Sequence, residues 1–299
     1  MNPLFSTIVA AALLLVAGCA SSHDSSATAT PVEAKSHFAK LGANKIHYVV
    51  EGQGKHTIVF VHCWSGNLSF WNEQVPALKD KARLILVDLP GHGQSDKPHT
   101  AYTMDFFAQA VLAVMRDAHA GKATLVGHSM GVPVICRVYK QAPERVAALV
   151  AVDGTLRKLK MTPEQAEQFV ARFRDPDYRE KTRQFMAAMF PFPGTEAARD
   201  RVVSELVETP QYVMLGAMEG MFGPDQPDWD PQRVAVPLIL INAPNPMWHD
   251  EYKEYVRGLS AQVEYRSMDG VGHWLMLEKP AEFNAVLVET LEKFDLIGK

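Results

Sequence analysis

Apolar and polar residues alternate over residues 46–51, whereas 57–61 is a continuous run of β-branched and aromatic side chains. Short apolar runs recur at 83–87, 123–126, 147–152, 237–241 and 262–266. Runs of about five or six such residues closed by turn residues mark strands buried on both faces. Between them, residues 104–118 and 132–141 carry apolar positions at helical spacing. Strands alternating with helices predict an α/β fold, a mostly parallel central sheet flanked by helices. No internal repeat breaks this order.

One stretch departs from the alternation. Between the strand ending at Asp153 and the one beginning at Pro237 only helical patterns occur. Thr162-Pro163-Glu164-Gln165 is a helix start, with Thr at the N-cap, Pro at the first helical position and Gln at the third. Further helices are expected over 197–208 and 212–221. Six of the 13 methionines fall in this insertion (Met161, Met186, Met189, Met214, Met218, Met221), with Phe185, Phe190, Phe192 and Phe222. Methionine adapts to varied apolar partners, so residues 155–232 read as a helical cap with an apolar underside. For each methionine singly, packing of cap on body is the plainer reading.

The N-terminus is of another kind. Residues 1–22 hold no Asp, Glu, Lys or Arg, and 8–17 is unbroken apolar sequence. Ten residues fall short of the about 20 needed to span a bilayer of about 30 Å, but suit the apolar region of a signal peptide. Val16-Ala17-Gly18-Cys19 resembles the lipobox of bacterial lipoproteins. The resemblance implies a signal peptide over 1–18 and acylation of Cys19, where two or more chains anchor stably and one does not. Ala20 after the cysteine implies an outer-membrane destination facing the periplasm. Residues 19–37, rich in Ser, Ala and Thr, would form a flexible tether. The core is expected over 38–154 and 233–299. An ordinary signal peptide, or an uncleaved anchor with Cys19 incidental, is the alternative.

Composition narrows the classes. With 47% hydrophobic residues among 299, the chain can bury a sizeable core, which excludes extended disorder. A net charge of −4 offers nothing to nucleic acid. Three cysteines are too few for a disulfide scaffold, and no C-x-x-C pair suggests zinc or redox chemistry.

The chemistry concentrates at two sites. Gly127-His128-Ser129-Met130-Gly131 follows a predicted strand and opens a predicted helix, the context that a strained nucleophile elbow requires. Pro133 sits in the first turn of that helix, where its missing N–H matters little. Ser129 is the candidate nucleophile. A serine hydroxyl needs a base, and Gly270-Val271-Gly272-His273-Trp274 follows the last predicted strand, where a loop can deliver His273 to Ser129. Of the other histidines, His62, His92 and His128 lie in loop motifs and read as structural. His23, His37, His47, His56, His99, His119 and His249 show no partner spacing, and no metal pair occurs.

Together with Val61-His62-Cys63-Trp64-Ser65-Gly66 and Asp88-Leu89-Pro90-Gly91-His92-Gly93-Gln94-Ser95-Asp96, these residues resemble the α/β-hydrolase superfamily over roughly residues 45–290. The nearest likeness is to its esterase, lipase and perhydrolase branches with a helical cap. The resemblance implies backbone N–H groups of Trp64 and Met130 as oxyanion donors, and leaves the 88–95 loop a structural role. Two departures stand out. Cys63 replaces the glycine usual after the histidine; it reads as a small buried hydrophobe, with a second nucleophile or a Cys63–Cys136 disulfide as alternatives. The acid usual after the strand at 238–241 is missing from Asn242-Ala243-Pro244-Asn245-Pro246-Met247-Trp248-His249-Asp250. Asp153 is the favoured acid, at a position that related hydrolases use; Asp250, Asn245 or no acid remain as alternatives, and a plain strand-end role for Asp153 is the bland reading.

The expected activity is hydrolysis of carboxylic esters with apolar or medium acyl groups through an acyl-enzyme on Ser129. Cofactor-free perhydrolase or C–C hydrolase chemistry on the same residues is an alternative, as is a catalytically impaired lipoprotein that binds an apolar ligand. Haloalkane dehalogenase and epoxide hydrolase are disfavoured, because both place an aspartate where Ser129 stands. No metal or organic cofactor is implied, since the chain has neither a P-loop nor a complete dinucleotide-binding glycine loop. The expected partners are a small ester and, through the N-terminal lipid, a membrane.

Overall fold

The computed structural model describes residues 35–159, 161–223 and 226–298. The expected signal peptide, Cys19 and residues 20–34 of the expected tether lie outside the described residues.

Eight strands form one sheet: β1 (Lys35–Leu41), β2 (Asn44–Glu51), β3 (Thr57–Val61), β4 (Arg83–Val87), β5 (Ala123–His128), β6 (Val146–Val152), β7 (Leu238–Asn242) and β8 (Val263–Ser267). Their order is β1-β2-β4-β3-β5-β6-β7-β8. The β1–β2 and β2–β4 pairs are antiparallel, and every later pair is parallel. All residues of β5 and β7 are buried, as a sheet covered on both faces requires. The apolar runs at 57–61, 83–87, 123–126, 147–152 and 237–241 therefore became buried parallel strands; the one at 262–266 became β8, a parallel edge strand that is only half-buried. β1 had no such signature. It is an edge strand in which only Ala39 is buried, and it takes residues 35–37 out of the expected tether.

Helices α1 (Val75–Leu78), α2 (Met104–Asp117) and α3 (Gly131–Gln141) precede the cap. Thr103 caps α2 by accepting from the Phe106 amide, and Arg116 sits in its last turn, where the helix dipole favours a cation. The insertion between β6 and β7 is helical as expected: α4 (Pro163–Ala171), α5 (Tyr178–Ala187), α6 (Glu196–Leu206) and α7 (Gln211–Phe222). Thr162 and Gln165 form the capping box read from the sequence. The unexpected helix is α5, a polar segment that buries only Thr182 and Met186. The chain closes with α8 (Asp250–Leu259), α9 (Leu275–Glu278) and α10 (Pro280–Lys293). No helix among the described residues is long and apolar enough to cross a membrane.

A buried polar cluster ties the antiparallel edge to the parallel body. Asp88, directly after β4, accepts from His47 Nδ1 (2.7 Å), Gln94 N (2.9 Å) and Leu68 N (2.8 Å). Ser95 Oγ donates to the Asp88 carbonyl (2.6 Å) and accepts from His47 N (2.8 Å). His47, which showed no partner in the sequence, is thus the principal partner of the structural loop at 88–95. Burial alone would raise the Asp88 carboxyl, but the His47 bond and the two amides outweigh it and hold the group below its ordinary value.

Asp88→Asn leaves donors facing donors, and should lower the free energy of unfolding by about 3 kcal/mol in urea denaturation at pH 7. A depressed folded pKa stabilises above the unfolded value of about 3.9 and ceases to as pH falls through the folded value. Wild-type stability should therefore drop more steeply than that of Asp88→Asn below about pH 4.

Candidate active site

β5 ends at His128, and Ser129 adopts a left-handed backbone with φ of +53° before α3 begins. A non-glycine residue held there costs on the order of 1–3 kcal/mol. Two backbone bonds hold it in place: Ser129 N donates to Val152 O and Val132 N donates to Ser129 O, each at 3.0 Å. Neighbouring glycines make the turn sterically feasible. A Cβ on Gly127 would stand 2.4 Å from Gly131 O, and one on Gly131 would stand 2.4 Å from Val61 O.

One strand over, Asp153 follows β6 with φ of +41° and is 6% exposed. Its Oδ2 accepts a 2.6 Å hydrogen bond from His273 Nδ1, and its Oδ1 accepts from Ala243 N at 3.0 Å. The carboxylate that meets His273 is therefore Asp153. Asp250 is exposed at the start of α8, and Asn245 spends its side-chain oxygen on the Met247 amide (2.9 Å).

The His273 loop is gripped on every side. Its carbonyl accepts from His128 Nε2 (2.8 Å), and its amide donates to Met189 O in the cap (3.2 Å). His128 is fully buried, and burial drives its pKa well below the ordinary value, so it serves as a neutral donor. Glu278 accepts from the two amides that flank His273, Gly272 N at 2.9 Å and Trp274 N at 3.0 Å. Burial pushes the Glu278 carboxyl up, against those two bonds. Sequence reading passed over Glu278; its place five positions after His273, at the end of α9, was the available signal.

Trp64 and Met130 line the same cavity as Ser129, Asp153 and His273. Among the described residues, neither of their amides donates to a protein acceptor. The Trp64 ring packs against Phe173, and its Nε1 donates to Met214 O (2.9 Å), fixing the residue from the cap side. Cys63 and Cys136 are both buried free thiols, so the disulfide alternative fails. Burial raises the Cys63 pKa far above the ordinary thiol value, which argues against a second nucleophile. The cavity measures about 520 Å³ and lies beneath the cap. Among the described residues no group of three or more His, Cys, Asp or Glu could hold a metal ion.

A match to the alpha/beta hydrolase fold family covers residues 56–280. Part of the chain is 42% identical over 112 residues to the dihydrolipoyllysine-residue acetyltransferase component of the acetoin cleaving system of Pseudomonas putida, over 37% of this chain and 30% of that protein. It is 36% identical over 137 residues to the pimeloyl-[acyl-carrier protein] methyl ester esterase of Methylococcus capsulatus, over 44% of this chain and 51% of that protein. The chain thus spans about a third to a half of these relatives' length. In structure it is similar to the enol-lactonase of Burkholderia xenovorans LB400, with a TM-score of 0.75, 19% identity, and coverage of 86% of this chain and 100% of that one. With the strand order, the elbow at Ser129 and the matched span all in agreement, this chain belongs to the alpha/beta hydrolase fold family.

Proposed function

We propose that this protein is a serine carboxylesterase acting on esters of apolar or medium acyl groups. The observation that carries the reading is the 2.6 Å His273–Asp153 bond in the cavity that Ser129 lines from a strained elbow. With Nδ1–H committed to Asp153, the imidazole lone pair lies on Nε2, the form a general base needs. Ser129 Oγ attacks the ester carbonyl as His273 takes its proton. Trp64 and Met130 amides receive the oxyanion, a contribution of about 10²–10³ in rate per good donor. His273 returns the proton to the leaving alcohol, and water, activated the same way, releases the acid. A relative named as a methyl ester esterase supports an ester as substrate.

A fluorophosphonate probe should label the wild-type protein and fail on Ser129→Ala; an unlabelled wild type, or a label that survives the substitution, refutes the assignment. Asp153→Asn should lower kcat by about 10⁴ in ester hydrolysis. Asp250→Asn should stay near wild type, and the reverse ranking would transfer the acid role to Asp250.

We also propose, from residues 1–19, that the chain is a lipid-anchored protein of the bacterial cell envelope, at the outer membrane facing the periplasm. Mass spectrometry of the protein purified from a bacterial envelope should find Cys19 acylated and N-terminal. An unacylated mature N-terminus elsewhere would discard the anchor.

A further inference from the structure

The cavity is walled by cap helices α5 and α7 on one side and by the loop after β7 on another. Phe185, Met186, Met218 and Met221 come from the cap; Pro244 and Met247 come from the loop. Among the described residues, no Lys, Arg or Glu reaches this lining, and its ionisable members are Asp153, His273 and the buried thiol of Cys63. Three described cations near the cap lie outside the lining. Lys158 Nζ donates to Gly223 O (2.6 Å) and Gln226 O (3.0 Å). The Arg157 guanidinium lies over the Tyr255 ring at 4.6 Å, and that of Arg172 over the Phe169 ring at 4.8 Å without joining the lining. The mouth continues the apolar surface outward. Leu159, Phe192 and Met247 all line the cavity while remaining 37%, 40% and 42% exposed. They are three of the four large hydrophobic side chains that the described surface exposes.

Resting on the esterase reading above, we propose that the substrate is an uncharged ester or lactone whose apolar group fills the space between α5, α7 and the loop after β7. An ester bearing a carboxylate on that group is rejected. A carboxylate entering this space loses its hydration, meets no cation among the described lining residues, and approaches Asp153. An apolar group meets mainly methionine and aromatic surface, and the exposed Leu159, Phe192 and Met247 give a long group apolar contact past the mouth.

Three methyl esters separate charge from shape: methyl octanoate, monomethyl octanedioate and dimethyl octanedioate. The full chain should turn over the first and third at comparable kcat/KM at pH 7.5, and the monoacid at least tenfold more slowly. A monoacid within tenfold of methyl octanoate overturns the proposal. So does a dimethyl ester as slow as the monoacid, because length or shape would then be what the cavity senses. Labelling of Ser129 by a small uncharged fluorophosphonate, run on the same preparation, keeps the two readings apart. A labelled protein inert to all three esters overturns this inference alone, and an unlabelled one removes the esterase reading beneath it.

Discussion

Everything at this site depends on three neighbouring parallel strands ending level with one another. His128 of β5 pairs with Val152 of β6, and Val152 pairs with Ile241 of β7. The next residues along, Ser129 and Asp153, therefore emerge side by side at the carboxyl edge of the sheet. The Asp153 amide donates to Ile241 O, and its carboxylate accepts from Ala243 N, so β7 and the residue after it brace Asp153 from the next strand. A slip of one residue in any of these pairings would turn the strand's side chains to the opposite face. Because β5, β6 and β7 are buried on both faces, such a slip would not expose apolar surface; it would set side chains of the wrong size against close-packed neighbours on each face. Close packing on both faces thus holds the register, and the register places Asp153 beside His273.

The cap belongs to the same construction. Met189 O, just after α5, accepts from the amide of His273 itself, and the Phe190 ring stacks on Trp274 at 6.1 Å with planes 4° apart. This approach needs Gly272, where a Cβ would stand 2.3 Å from Met189 O. Glu278 holds the same loop from the other side through the amides of Gly272 and Trp274. His273 is consequently positioned by the cap as well as by the sheet, and the apolar roof cannot shift at Met189 without disturbing it.

What could be read from the sequence follows the range of the interactions involved. Strands buried on both faces announce themselves as unbroken apolar runs, so β3 to β7 were legible. The edge strand β1 buries one alanine and was not, and the polar α5 was equally silent. Ser129 carries a local backbone signature, two glycines in a strand-to-helix turn, and His273 sits in a recognisable loop. Asp153 has no local signature: the sequence favoured it only through the family resemblance, and what sets it rather than Asp250 or Asn245 beside His273 is that β6 lies between β5 and β7. His47 and Asp88, 41 residues apart, escaped notice for the same reason.

Strain and specificity are divided between different strands here. Ser65, Ser129 and Asp153 all hold left-handed φ values, +57°, +53° and +41°, and each follows a strand at this edge of the sheet. Such conformations persist only where packing over-determines them; Ser129 is locked by Val152 and Val132, and Asp153 by Ile241 and Ala243. The carboxylate that meets His273 sits on this strained turn after β6, and the loop after β7, residues 243–249, presents none. It is free to contribute Pro244, Met247 and Trp248 to the cavity wall instead. A carboxylate at that position would set a second negative charge on the cavity wall; without one, Asp153, buried and paired with His273 and the Ala243 amide, is the one carboxylate of the described lining.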